Sequence, residues 1–357
     1  MRFFSCLIVL GCLLAARAAA TSSPPGTLRS PAVAVANPSH ELLIGITRAG
    51  ARLVAVGGHG LIIYSDDDGQ TWRQALVPTS ETITCAAFTD PENGWAAGGQ
   101  GVVLHTTDGG ASWQLQLTGN QVLQLMTKAA AQFAAANPTG DASARALRRS
   151  GIFATAGPNK PFLTIIPLNS QSAIIFGAYR MTVMTADAGK TWTDWSLHVG
   201  DPVSHAIYDS IRVGSSDYLA GELGVVLRSD DQGRDFSMLT SPDSSTLLGI
   251  LSTPTGSLLT FGVAGEVFRS TNRAGSWSPS NTSYGSDLTG GLVLNSGAVL
   301  VVDEDGGMHE SKDDGQSFQN VDLNERMALF GLVQAANGDV VFVGSGGVRV
   351  EPAASFN

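Results

Sequence analysis

The chain has 357 residues, 42 of them glycine, and a formal net charge of −10 at pH 7. An acidic surface argues against partners bound through a phosphate backbone, because nucleic-acid binding depends on basic side chains that displace counterions. We therefore expect no nucleic-acid partner. Frequent glycines predict many tight turns and hence many short strands.

The first twenty residues have the pattern of an export signal. Arg2 is followed by an apolar run over 3–14 and by three alanines at 18–20, which is typical of a cleavable signal peptide. We expect residues 1–20 to be removed and the protein to be exported to the periplasm. Lipidation at Cys12 and an uncleaved anchor are the alternatives. No other apolar stretch is long enough to span a bilayer, so the protein should be peripheral to the membrane at most.

An eight-residue motif recurs six times along the chain. It reads SDDDGQTW at 65–72, TTDGGASW at 106–113, TADAGKTW at 185–192, SDDQGRDF at 229–236, STNRAGSW at 270–277 and SKDDGQSF at 311–318. Its glycine position falls at 69, 110, 189, 233, 274 and 315, with alanine at 274. The period is about 41 residues and one step is longer by about 40, which indicates an internal repeat with one insertion.

Each position of the motif has a structural reason. The hydroxyl and carboxylate are short acceptors that bond nearby backbone N–H groups and close a turn. The glycine admits a positive φ, and the aromatic residue begins a strand and packs between sheets. We therefore assign a structural role to Asp67, Gly69, Trp72, Asp108, Gly110, Trp113, Asp187, Gly189, Trp192, Asp231, Gly233, Phe236, Trp277, Asp313, Gly315 and Phe318. The copies with Asn272 and Ala274, or with Asp235, should form the turn less well.

A second pattern precedes each motif. It is an apolar strand, a turn rich in glycine and another strand, as in AVGGHGLIIYS at 55–65, with a further alternating run before it. A seventh copy, FVGSGGVRV at 342–350, has no motif after it. Four strands in about 41 residues are typical of a propeller blade. The sequence predicts an all-β chain: a seven-bladed β-propeller over 41–350 with four-stranded antiparallel blades.

The two ends of the chain also carry predictions. Residues 21–40 should contain a strand, near 28–35, that completes the seventh blade and closes the ring, since closure hides sheet edges. Residues 351–357 should be a tail.

The insertion lies at about 120–160, between the second and third units. Residues 120–137 place apolar side chains at helical spacing and are rich in alanine, which predicts a helix. A second short helix is predicted over 142–149 and carries Arg145, Arg148 and Arg149. The insertion is either a helical cover for the ring or an element that docks a partner.

Candidate binding residues lie in the turns between the second and third strands. These turns should share the face opposite the Asp-containing motifs, where side chains vary without disturbing the repeat. The candidates are His59, Gln100, Tyr179, Arg180, Glu222, Glu304 and Asp305. Arg180 stands where the other six turns have glycine, so it is either a functional side chain or a solvated arginine in a different kind of turn.

Other chemistry has weaker support in the sequence. The histidines have no metal-ligand spacing and the acidic run at 303–305 lacks that of a calcium loop, so we expect no metal and no cofactor. Glu222 with Glu304 or Asp305 would be the carboxylate pair of a glycoside hydrolase, which leaves a glycan-active or carbohydrate-binding propeller as the alternative function. Cys85 is predicted to be a buried strand residue.

The repeated motif, the unit AVGxxGxIxxSxDxGxTW and the signal-like start resemble the photosystem II stability/assembly factor family, in its non-photosynthetic bacterial branch. The resemblance covers roughly residues 40–350. It implies a BNR-repeat, or Asp-box, propeller without enzymatic activity that binds a protein and helps to assemble a membrane-protein complex. Sialidases also carry Asp boxes, but this chain lacks their Arg-Ile-Pro motif. We expect a monomeric binding scaffold whose partner is an envelope membrane-protein complex.

Overall fold

The computed structural model describes residues 26–201, 204–282, 285–321 and 326–356. The predicted signal peptide, residues 1–20, and the alternative lipidation at Cys12 lie outside these residues.

Each repeat unit folds into one antiparallel sheet whose strands follow one another in sequence. The first three blades are β1 (Leu43–Ala49), β2 (Arg52–Gly57), β3 (Ile62–Ser65) and β4 (Arg73–Gln74); β5 (Ile83–Phe88), β6 (Gly94–Gly98), β7 (Val103–Thr106) and β8 (Gln114–Leu117); and β9 (Phe162–Asn169), β10 (Ser172–Gly177), β11 (Thr182–Thr185) and β12 (Thr193–Asp194). The next three are β13 (Ile207–Val213), β14 (Ser216–Gly221), β15 (Val226–Ser229) and β16 (Ser237–Met238); β17 (Leu247–Ser252), β18 (Leu258–Gly262), β19 (Val267–Ser270) and β20 (Ser278–Pro279); and β21 (Leu288–Val293), β22 (Val299–Asp303), β23 (Met308–Ser311) and β24 (Gln319–Val321). Blade seven is β25 (Leu329–Gln334), β26 (Val340–Gly344) and β27 (Gly347–Glu351).

The seven sheets form a closed ring. The first strand of each blade lies beside the first strand of the next, and β25 lies beside β1. The second strands are buried along almost their whole length, as in β2 and β22, because they have neighbouring blades on both faces. Their continuous apolar sequences reflect that double burial. The predicted seven-bladed β-propeller is therefore confirmed, with three strands instead of four in the last blade.

The predicted ring-closing strand was wrong. Residues 28–35 form no strand and run along the outer edge of blade one instead. Gln74 holds them there: its Nε2 donates to the Val33 carbonyl at 2.9 Å, and its Oε1 accepts the Val35 N–H at 3.0 Å. The Ala32 N–H also donates to the Val77 carbonyl at 3.0 Å. Because these bonds tie the segment to blade one, it does not complete blade seven.

The predicted tail takes part in the core. Residues Ala353–Phe356 form a short 3-10 helix, anchored by the Ala353 N–H on Asp339 Oδ1 at 2.9 Å. The ring of Phe356 is 5% exposed and packs between blades six and seven, against residues that include Met308 and Phe342. In the preceding blade Phe318, the aromatic residue of an Asp box, fills the same kind of space. Blade seven has no Asp box and therefore no Asp-box aromatic residue. Phe356 packs in the place that such a residue occupies in the other blades.

The insertion forms two antiparallel helices between β8 and β9. They are α1 (Gly119–Ala136) and α2 (Asp141–Ala156), so the second helix is longer than predicted. At the start of α1 the Thr118 N–H donates to Gln121 Oε1 at 2.9 Å, which satisfies an N-terminal donor. Val122 and Met126 of α1 and Phe153 of α2 pack into the core between blades two and three. Neither described helix has the length and apolar character needed to cross a bilayer.

Candidate functional site: a cavity between the helical insertion and blade three

The six Asp boxes form the same turn, and most of its side-chain bonds recur from blade to blade. In blade one the Ser65 hydroxyl donates to Asp67 Oδ1 at 2.8 Å and accepts the Gly69 N–H at 2.9 Å. The Thr71 N–H donates to the same carboxylate at 2.9 Å, and the Trp72 indole donates to the Gly69 carbonyl at 2.9 Å. Hydrogen bonds from Thr71 and Ser65 hold the pKa of Asp67 below its usual value. This geometry suits a structural role.

The degenerate copies keep most of these bonds. In blade five Asn272 Oδ1 accepts the Ser276 N–H at 2.9 Å, and the Ala274 N–H donates to the Ser270 hydroxyl at 2.9 Å. Ala274 adopts a φ of 63°, which is unfavourable for a residue with a Cβ. In blade four the Asp235 N–H still donates to Asp231 Oδ1, at 3.1 Å, but Asp235 has no hydroxyl to donate as Thr71 does in blade one.

The turns between second and third strands depend on backbone conformation rather than on the side-chain bonds of the Asp boxes. In blades one to five the middle residue of the turn has a positive φ, such as 55° at His59 and 50° at Gln100. The glycine that follows lies against the segment leading to the next blade. A Cβ at Gly60 would lie 2.1 Å from the Thr79 carbonyl oxygen, and one at Gly224 would lie 1.8 Å from that of Asp243. The chain path itself therefore requires glycine at these positions.

Blade three departs from this rule. Arg180 occupies the glycine position with a φ of 56°, directly after Tyr179 with a φ of 58°. Its backbone N–H donates to the His205 carbonyl at 3.1 Å. A non-glycine residue in this region costs about 1 kcal/mol. The Arg180 side chain is 8% exposed, so the predicted alternative of a solvated arginine was wrong.

Arg180 lines a cavity of about 690 Å³. Its walls are α2, the blade-three turn and the segment that follows β12. The apolar lining includes Phe133, Ala146, Ile152, Phe153, Leu197 and Val199. The insertion and the strand turns therefore share one face: the Gly101 N–H in the blade-two turn donates to the Lys160 carbonyl, after α2, at 2.8 Å.

Charged groups surround this cavity. Arg180 Nε is buried and has no hydrogen-bond partner among the described residues. Arg149 of α2 donates to the Ser196 hydroxyl at 3.2 Å; burial lowers the pKa of Arg149, while Asp194 and Asp201 act to raise it. Asp201 is 0% exposed, and its Oδ1 lies 3.0 Å from Nδ1 of His205.

Arg145 and Arg148 of α2 also line the cavity and are exposed. The site thus combines apolar walls with four arginines and one buried carboxylate.

The structure brings only some of the predicted residues together. Tyr179 is 49% exposed at the cavity, with the Lys160 ammonium 5.4 Å from its ring centre. Gln100 is held by Glu81 and by the Thr27 hydroxyl, and His59 is exposed in blade one. Gln100 and His59 lie in the turns of blades two and one and do not line the cavity.

The carboxylates considered as a hydrolase pair lie on different blades. Glu222 belongs to the blade-four turn, where its Oε2 accepts the Ala206 N–H at 3.2 Å. Glu304 and Asp305 belong to the blade-six turn, and the Asp305 carboxylate accepts from the Ser286 hydroxyl. Blade five stands between them. Within the described ranges, no three His, Cys, Asp or Glu side chains are placed to hold a metal ion.

A second cavity, of about 440 Å³, is the channel at the centre of the ring. The Asp209 carboxylate in its wall accepts the Ile250 N–H at 2.9 Å, and burial raises the pKa of Asp209 to about 6. Cys85 lies in β5 as predicted, but it faces the channel and is half-buried. Burial raises the pKa of its thiol to about 12.

Comparison with known proteins gives the following matches. A family model described as "Photosynthesis system II assembly factor YCF48" matches residues 70–141, and one described as "BNR/Asp-box repeat" matches residues 63–74. No curated protein matches the sequence.

Similar solved structures include "YCF48 bound to D1 peptide", with a TM-score of 0.62 and 17% identity over 88% of this chain and 94% of that one. YCF48 from Cyanidioschyzon merolae has a TM-score of 0.61 and 14% identity over 88% and 96%. The WD40 β-propeller domain of Doa1 has 0.61 and 10% over 93% and 99%. At these identities the structures establish a shared fold. Together with the family models, they confirm that this chain resembles the BNR-repeat propellers of the photosystem II assembly factor family.

Proposed function

We propose that the protein is an exported, non-enzymatic scaffold that binds a protein partner through the face formed by the helical insertion and the blade-three turn. The observation that carries this proposal is the meeting of the insertion and Tyr179–Arg180 around one large cavity. Both are departures from the repeat, and both lie on the face where glycine turns leave side chains free to vary.

The surface around the cavity has the composition of an interface. Leu147 and Ile152 of α2 are 48% and 56% exposed, and Tyr179 is 49% exposed. Exposed apolar side chains rimmed by polar groups mark sites of interaction, and aromatic residues and arginine are enriched among residues that dominate binding energy. The insertion is fixed to the ring through Phe153, so this surface is presented without a large ordering cost.

The distribution of charge also supports this face as the docking surface. The chain carries a net charge of −10, yet Arg145, Arg148, Arg149 and Arg180 converge on one cavity. A partner segment with acidic and apolar side chains would be complementary to the exposed rim of this cavity, where Arg145 and Arg148 lie. YCF48, to which this chain is similar, has been described bound to a D1 peptide. By extension we infer a peptide segment of an envelope membrane-protein complex as the partner here, bound in the periplasm by a monomeric, membrane-peripheral scaffold.

Affinity purification from envelope fractions tests the proposal. Deleting 120–158 would expose core residues such as Met126 and Phe153, so a surface variant is a cleaner probe. Ile152→Glu should lose the partner while melting at the temperature of the wild type. Leu76→Glu is the matched control, because Leu76 is 76% exposed beside the outer strand of blade one. If Ile152→Glu retains every partner of the wild type, this face is not the docking surface.

A further inference from the structure

The cavity contains a buried cation whose bonding is incomplete. Arg180 is more than nine-tenths buried, and its Nε has no acceptor among the described residues. A buried donor without an acceptor costs about 1–3 kcal/mol, and more when it is charged. The turn conformation adds its own cost, since six other blades use glycine at the equivalent position. Arg180 lines the cavity, so an anion inside it would compensate the charge of this guanidinium.

The neighbouring charges restrict that anion. Arg149 of α2 also lines the cavity and adds a second positive charge. Asp201 also lines the cavity and is fully buried, with its carboxylate engaged by the His205 N–H and imidazole. A fixed carboxylate repels a second anion most strongly when that anion carries two charges. Arg145 and Arg148 are exposed and screened by water, so the inner part of the cavity holds Arg180 and Arg149 against one carboxylate. This single net positive charge matches a monoanion, such as a carboxylate, better than a phosphate dianion.

The walls restrict the remainder of the ligand. Ile152, Phe153, Leu197 and Val199 present apolar surface. A volume of about 690 Å³ is in the range of pockets for small molecules rather than of extended interfaces. Backbone amides of a peptide placed against these walls would lose hydrogen bonds to water without replacement. An alkyl chain has no such groups to satisfy.

We propose that this cavity binds a small monocarboxylate with an apolar chain, an acyl carboxylate of medium length, with Arg180 bonding the carboxylate and α2 covering the chain. The site is additional to the protein-docking role proposed above and does not depend on it. A ligand held in this way would bridge the insertion to blade three, since its two ends contact different elements.

Calorimetric titration of the full chain with dodecanoate tests the proposal. We expect binding of one dodecanoate per chain, at least tenfold tighter than dodecanol, which lacks the charge, and than dodecyl phosphate, which carries two. Arg180→Gly should weaken dodecanoate binding about tenfold or more, in line with the loss of one charged hydrogen bond. Because glycine suits the left-handed turn, this variant should fold. Arg73→Ala, at an exposed arginine in the outer strand of blade one, should bind as the wild type does.

Three results would overturn the proposal. Equal affinities for dodecanoate and dodecanol would show that Arg180 does not bind the carboxylate. Unchanged affinity in Arg180→Gly would place the ligand elsewhere. Binding of an acetylated tetraleucine peptide with a free carboxylate, in the absence of dodecanoate binding, would assign the cavity to a protein segment. None of these results would contradict the docking proposal, because the purification scores capture of a protein partner, and Arg180→Gly, which tests dodecanoate binding, leaves the exposed side chains of Leu147 and Ile152 in place.

Discussion

On one face of the ring six Asp-box turns repeat the same side-chain hydrogen bonds, whereas on the other face the strand turns of the first five blades share a backbone conformation and little else. The hydroxyl-to-carboxylate bond measures 2.8 Å in blade one, 2.7 Å in blade two and 3.0 Å in blade three. On the opposite face the middle residue is His59 in blade one and Leu223 in blade four, at nearly the same φ. Side chains are therefore repeated in the Asp-box turns, where they hold the backbone. They vary in the strand turns, where glycine permits the backbone conformation.

This difference predicts where substitutions damage the fold and where they damage binding. Substitutions in the Asp-box turns should lower the free energy of unfolding, whereas those at Arg180 should leave it nearly unchanged.

The largest loss should come from Trp113→Ala. Trp113 is 4% exposed, lies edge-on to Phe88 with ring centres 6.0 Å apart, and donates its indole N–H to the Gly110 carbonyl at 3.0 Å. Removing a buried aromatic ring leaves a cavity, so we expect a loss of about 3–5 kcal/mol in urea unfolding. Trp277 is only partly buried, and Trp277→Ala should cost clearly less. Equal losses would contradict the packing argument.

Phe356→Ala should be the next most damaging change. The ring closes the wedge between blades six and seven, so its loss should lower the free energy of unfolding by about 2–4 kcal/mol. Ser355→Ala, at the exposed neighbouring position, is the control and should be close to neutral. If both variants unfold at the urea concentration of the wild type, blade seven needs no aromatic wedge.

The channel offers a test with a distinct pH dependence. Burial raises the pKa of Asp209 to about 6, from about 3.9 in an unfolded chain. The fold therefore favours the neutral acid, and the stability that this supplies is present below about pH 4 and is lost as the pH rises to about 6. Asparagine does not ionise, so the stability of Asp209→Asn relative to the wild type should rise by about 1–2 kcal/mol between pH 4 and 7, allowing for water in the channel. If urea titrations show that the stabilities of Asp209→Asn and the wild type change equally with pH, the pKa of Asp209 is not raised in the folded protein.

Asp108→Ala should have a smaller effect, of about 1 kcal/mol at pH 7, through lost turn hydrogen bonds. Burial acts to raise the pKa of Asp108, but bonds from Ser112 and Thr106 outweigh it and lower the pKa overall. The stability that the carboxylate supplies is therefore present above about pH 4 and is lost as the pH falls through the lowered pKa. Asn272→Asp should add a contribution of the same sign to blade five. If the wild type and Asp108→Ala lose the same free energy of unfolding on acidification, the Asp108 carboxylate does not stabilise the turn in this way.

The smallest effect should come from Arg180→Gly. Relief of the positive φ offsets the lost packing of the side chain, so the free energy of unfolding should stay within about 0.5 kcal/mol of that of the wild type. Gly224→Ala is the contrasting change at the same turn position, because its Cβ would lie 1.8 Å from the Asp243 oxygen; it should destabilise by more than about 2 kcal/mol. If the two variants have equal stability, the turn does not differ between blades three and four.

The fold was predictable because its determinants are local and repeated. Asp67 and Gly69 act within one turn, and their recurrence at about 41 residues marks each blade. Phe356 escaped prediction because it fills the place of an Asp-box aromatic without the preceding motif. The closing strand near 28–35 was wrongly predicted because the alternating pattern does not reveal that Gln74 pairs with the segment.

The candidate site was predictable only in part. The broken glycine position at Arg180 and the insertion were both visible in the sequence. Asp201 and Leu197 were missed because the links between blades carry no periodic signal. The separation of Glu222 from Glu304 depends on the curvature of the ring, which sequence spacing does not encode.

The contact between β25 and β1 also governs how the chain reaches its native state. Arg48 donates to the Gln334 carbonyl at 3.1 Å and the Ala336 N–H donates to Asp68, so partners 286 and 268 positions apart must meet. Each blade forms from neighbours in sequence, but closure must overcome the loop entropy of almost the entire propeller. Contacts of such long range slow folding, so we expect the encounter of the first and last blades, rather than the formation of any single sheet, to set the rate at which the ring is completed.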